Sequence, residues 1–222
     1  MTMASLCDVA RNPGRYFSRR LTYYDAVVPV IIAISVGIFL SYAYRPFFAA
    51  ALFGSLPADA APAAVDVLVT KVLRFSAIGA TIVPLAYIGA TAALTFVFLV
   101  ALCGSLPKFE SLCVCVAWAA LLLTGKDLAR YGMLLASGLE SVRGIADLQP
   151  GVGLGFLWSV HGSPMYDLLE TINGFDVGYL FALAFAISRS ESIEWRSAIG
   201  ATLGSALLLH GVRIGFGVLF HR

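Results

Sequence analysis

Apolar residues in this chain run in long blocks, and charges interrupt them at intervals the size of a bilayer. No Asp, Glu, Lys or Arg stands between 26 and 44, between 75 and 107, between 111 and 125, or between 197 and 212. A helix that crosses a bilayer needs roughly 20 mostly apolar residues, each rising about 1.5 Å. The pattern therefore predicts spans near 26–44, 75–103, 109–125, 174–188 and 197–220. The expected fold is all-α, a polytopic transmembrane helical bundle of about five spans. Residues 1–25 form a short cytoplasmic or interfacial leader ahead of it.

The connections carry their own signals. Residues 46–65 hold Pro46, Pro57, Pro62 and many alanines, which reads as a loop. The second element starts near Val65, with Asp66, Lys71 and Arg74 at its head. Pro84 inside it predicts a kink, because proline removes a backbone hydrogen bond. Gly104 to Lys108 is a tight turn, and Lys126, Asp127 and Arg130 mark the far end of the third span. Residues 148–166 lack charges but are broken by Pro150, Gly151, Gly153, Gly155, Gly162 and Pro164, so they read as a loop or re-entrant segment. The short fourth span places Asp176 at or just inside one interface, and Arg189 to Arg196 is a polar turn before the last span.

Composition agrees with the blocks. Hydrophobic residues make up 59% of the chain and charged residues 13%, with a mean hydropathy of +0.87. Soluble domains carry about 25% charged residues. A net charge of +2 is too mild to argue for nucleic acid. The four cysteines, Cys7, Cys103, Cys113 and Cys115, show no secreted disulfide pattern. Arg11, Arg15, Arg19 and Arg20 before the first apolar block mimic a signal peptide. That block exceeds the 7–15 residues of a signal h-region, so it is read as a retained span. Tyr16, Phe17, Tyr23 and Tyr24 suit the headgroup region, as an anchor or as an interfacial helix. The arginines of the leader and of the turn after the fourth span set the orientation, opposed by Lys126, Arg130 and Arg143. The expectation is amino terminus cytoplasmic and carboxy terminus outside.

Few residues suggest chemistry. Arg213 interrupts the fifth span, where an arginine is costly unless it snorkels or pairs. Asp176 lies 13 positions before Arg189, and Arg213 lies 17 positions after Arg196. Those separations are roughly 20 and 25 Å of helix, so the two approach one interface from adjacent helices. They are a candidate membrane ion pair, or both face aqueous headgroups. Gly200, Gly204, Gly211 and Gly215 form two Gly-x-x-x-Gly pairs, the small-residue spacing that lets helices approach closely. His210 lies one turn before Arg213, but a relay or haem site needs further ligands. Cys113-x-Cys115 has the wrong geometry for a metal on a helix. No hydrolase, P-loop, dinucleotide or zinc-protease motif occurs, and Ser159 near His161 lacks an oxyanion context. No cofactor, metal or catalytic residue is expected.

Several segments in order resemble the Yip domain family, membrane proteins of the Ypt/Rab-interacting type. They are Asn12-Pro13-x-x-x-Phe17 before the first span and Gly104-Ser105-Leu106-Pro107-Lys108-Phe109 entering the third. A third is Leu168-Leu169-x-x-Ile172-Asn173-Gly174-Phe175-Asp176-x-x-Tyr179-Leu180, opening the fourth. A small-residue fifth span follows a short charged turn. The leader is short, as in bacterial and archaeal members, and departs from the long amino-terminal regions of eukaryotic ones. The resemblance implies a non-enzymatic scaffold or adaptor of a prokaryotic inner (plasma) membrane, sometimes accessory to an ABC-type exporter. Its partners would be the lipid bilayer and other membrane subunits or a second copy. The alternative is a small structural subunit of a larger transport or energy-conversion complex.

Overall fold

The computed structural model describes residues 4–55, 62–104, 106–148, 150–153, 169 and 172–220. Among them the chain is all-helical, with no strand. Helices α1 (Ala4–Arg11) and α2 (Pro13–Phe17) form the leader. They are followed by α3 (Tyr24–Ala43), α4 (Arg45–Ser55), α5 (Pro62–Cys103), α6 (Phe109–Ala119) and α7 (Leu121–Ser137). Two single 3-10 turns, Leu139–Ser141 and Ile145–Leu148, come next. The last elements are α8 (Gly174–Ser190) and α9 (Trp195–Phe220).

Among the described residues, three helical stretches are long and apolar enough to cross a membrane: Tyr24–Ala43, Val65–Cys103 and Phe109–Ser137. α8 has 17 residues, short of the roughly 20 a span needs. α9 has 26 residues, enough to cross by length, and its side chains from 213 onward lie outside the described residues.

Two expectations are corrected. Residues 46–65 are not a continuous loop: α4 occupies Arg45–Ser55. Proline is tolerated in a first turn, where its missing N–H has no helical acceptor, so Pro46 permits this helix. Alanine, phenylalanine and leucine then continue it. Lys126, Asp127 and Arg130, expected at the far end of the third span, do not end the helix either. They lie inside α7, which runs on to Ser137. These residues cost a helix little, and the stop comes from Gly138 at φ 75, whose N–H bonds the Leu134 carbonyl. Gly104, at φ 63, ends α5 in the same way through the Val100 carbonyl.

The chain divides into two compact units. The first comprises Met1–Val30, Ala86–Leu121 and Asp176–Arg222. Its axis is α6, in which every residue from Ser111 to Ala119 is buried. A helix apolar on all sides needs neighbours on all sides. The leader meets α6 at Trp118, and α8 meets it where the Ser190 hydroxyl lies 3.4 Å from the Cys115 sulfur. The second unit comprises Ile31–Leu85 and Leu122–Phe175. Here Phe47 and Ala51 of α4 pack with Leu134, Val142 and Leu148. Leu52 packs with Val65, Val69 and Leu73 of α5. α8 begins at the edge of this unit, where the Asn173 side chain caps it by accepting the Phe175 N–H at 2.9 Å.

Candidate functional site

A heavily bonded group in the first unit is Asp25, 8% exposed at the start of α3. Thr22-Tyr23-Tyr24-Asp25 precedes the apolar run with capping-box spacing, in which the fourth residue reaches back to the first. Asp25 Oδ2 accepts the Thr22 N–H at 2.9 Å and the Thr22 hydroxyl at 3.2 Å. Oδ1 accepts the Arg19 guanidinium at 2.6 Å and the Tyr16 hydroxyl at 3.3 Å. The Asp25 carbonyl accepts the Trp118 indole N–H at 3.1 Å. The Arg19 guanidinium also lies over the Tyr16 ring, 4.3 Å from its centroid, and that ring meets Trp118 edge-on at 5.7 Å. Burial raises the Tyr16 hydroxyl above its ordinary pKa, and the nearby Asp25 carboxylate adds to this, while Arg19 opposes it. Together these bonds fasten α2 to the head of α3 and to α6. A further tie is the Tyr23 N–H, donated to Glu110 at 2.7 Å.

Beside this hub the leader forms an open basin of about 540 Å³. Arg11, Asn12, Arg15, Ser18 and Arg19 line it, with Asp8 as its single acid. Asn12 caps α2 by accepting the Arg15 N–H at 3.2 Å, with Pro13 in the first turn. That cap holds Arg15 where it can share the basin with Arg11.

Each unit also contains a seam of small and hydroxyl side chains between long helices. In the first unit, α5 and α9 meet at Thr95 and Ser205, whose hydroxyls are 3.0 Å apart. A Cβ at Gly204 would fall 2.8 Å from the Phe98 ring, and one at Gly200 would fall 3.3 Å from Leu102. A Cβ at Gly211 would meet nothing within 4 Å. The side chain of Arg213 and the surroundings of Gly215 are not among what the structure describes, although both positions lie in α9. The same therefore holds for the pair between Arg213 and Asp176, which stands half-buried in the first turn of α8.

In the second unit, α3 and α5 meet at Ser41 and Ser76, with hydroxyls 3.0 Å apart. One turn away, a Cβ at Gly37 would fall 3.0 Å from that of Ala80. Pro84 leaves the Ala80 carbonyl without its helical donor, and Gly37 brings α3 close to this oxygen. Arg45 extends the seam with an exposed ion pair to Asp66 at 2.9 Å.

His210 is half-buried in α9, and Cys113 and Cys115 are buried in α6. No group of three or more His, Cys, Asp or Glu is placed to hold a metal among the described residues. Ser159 and His161 lie outside those residues. Asp25 and Trp118 escaped the sequence reading. The Thr22-x-x-Asp25 capping spacing was the available signal for one of them. The described residues define an all-helical protein with helices long and apolar enough to cross a membrane. Comparison with family models, curated proteins and solved structures finds no match for this chain.

Proposed function

We propose that this chain is a non-enzymatic integral membrane scaffold or adaptor of Yip-like type, with five helices crossing the bilayer and the leader on the cytoplasmic side. The observation that carries this reading is the outward apolar face of the long helices. Phe75 is 74% exposed on α5, and Ile78, Ile82, Val83 and Val97 are exposed along the same helix. Ile31 and Phe39 are exposed on α3. Such surface is costly in water and matches acyl chains or a partner helix. The polar side chains of the seams and of the Asp25 hub bond to one another within each unit, which suits holding helices in register. Binding would then run through helix faces and the leader.

Purification in a mild detergent tests this. A monomer or homodimer without a stoichiometric companion is expected. A fixed set of co-purifying membrane subunits would make the chain a structural subunit of a larger complex. A prosthetic group that travels with the polypeptide would overturn the non-enzymatic reading.

A further inference from the structure

The basin in the leader gathers positive charge that no ion pair among the described leader residues satisfies. Arg19 is already committed to Asp25 and to the Tyr16 ring. Arg11 and Arg15 are exposed and form no ion pair among the described residues. Each guanidinium offers a planar fork of donors that fits two oxygens of a phosphate at once. The Ser18 hydroxyl is spent on the Arg15 carbonyl at 3.1 Å, so it stiffens the wall and leaves the anion to the guanidiniums. Asp8 is the one acid in a lining that holds three arginines, so the basin stays net positive.

Position names the source of the phosphate. Tyr23 and Tyr24 are 56% and 76% exposed at the head of the Tyr24–Ala43 helix. Exposed tyrosines at the end of a membrane-crossing helix sit at headgroup level. Arg15 and Arg19 precede them by a few residues, within reach of the same layer. Juxtamembrane arginine clusters attract anionic lipid by about 1 kcal/mol for each cation near the surface. We propose that Arg11 and Arg15 clamp the phosphate of an anionic phospholipid headgroup in this basin, with Arg19 held in its wall by Asp25. The proposal rests on the reading of Tyr24–Ala43 as a span.

The test uses the full chain in vesicles of phosphatidylcholine containing a minor fraction of phosphatidylglycerol. The protein is extracted in mild detergent, and the lipid it retains is identified by mass spectrometry. Phosphatidylglycerol is expected to be enriched over its share of the vesicle. The double substitution Arg11→Gln with Arg15→Gln should reduce that enrichment roughly tenfold or more, two cations being lost. Arg11→Lys with Arg15→Lys should keep part of it, since the charge remains and the fork does not. Lys71→Gln with Arg74→Gln should leave it unchanged. Equal loss in that control, or full retention in the Arg11 and Arg15 double variant, would overturn the site. Displacement of the lipid by inorganic phosphate at comparable concentration would reassign the basin to free phosphate and overturn the lipid claim. Flotation with the vesicles is scored separately. A chain that fails to float refutes the span, whereas one that floats without enrichment refutes the clamp.

Discussion

Asp25 shows how one carboxylate can organise a membrane-entry segment. Both of its oxygens are occupied, one by the Thr22 capping contacts and one by Arg19 and Tyr16. Hydrogen bonds to charged groups are worth about 1.5–3 kcal/mol each before their partners' losses are counted. Arg19 is half-exposed, so its share is discounted by solvent. Asp25→Ala should lower stability by about 2–3 kcal/mol, read as earlier thermal unfolding in detergent. The same hub predicts alkaline sensitivity. Tyr16 has its pKa raised above 10.0 in the folded chain, chiefly by burial. A raised value means its contribution is complete below about pH 10 and is lost as pH climbs through the folded value. Unfolding midpoints measured from pH 8 to pH 11 should stay level and then fall, and Tyr16→Phe should flatten the fall. An unchanged slope in that variant would remove Tyr16 from the account.

Between helices, contact is set by the absence of side chains as much as by their presence. Gly204 is the tightest case, with the Phe98 ring where a Cβ would go. Gly204→Ala should cost about 1–3 kcal/mol by overpacking α9 against α5. Gly211→Ala should be neutral or stabilising by up to about 1 kcal/mol, because its surroundings are open and alanine favours helix. Melting of the two variants in detergent separates them, and equal effects would mean that the Phe98 ring yields freely. Pro84 belongs to the same logic. α5 runs unbroken from Pro62 to Cys103, although proline cannot donate to Ala80. Gly37 opposite Ala80 lets a second helix approach the carbonyl that proline leaves without a donor.

Across the whole molecule, the number of crossings fixes which face each terminus occupies. On the proposed reading, five crossings would put the ends on opposite sides of the bilayer, with the arginine-rich leader inside. Reporter fusions at the two ends are expected to give opposite signals, cytoplasmic at the start and external at the finish. Matching signals at both ends would leave an even number of crossings. α8, at 17 residues, would then be the helix that fails to cross.

Charge-free blocks of bilayer length were legible directly from the sequence, because a backbone in lipid must satisfy its hydrogen bonds as helix and its side chains must be apolar. All-α class and the three long helices followed from that requirement. Helix ends were less legible. Lys126, Asp127 and Arg130 resembled a terminus, yet Gly138 ended α7, since a charged side chain costs a helix little and a positive φ stops it. Residues 46–65 resembled a loop for the same reason, with prolines counted as breakers although Pro46 sits where a first turn accepts one. The tertiary structure alone decided what meets what. Asp25 with Trp118, Ser41 with Ser76, and Thr95 with Ser205 join residues far apart in the chain. Spacing along a sequence encodes which face of a helix a residue occupies, and only packing selects the helix that face will touch.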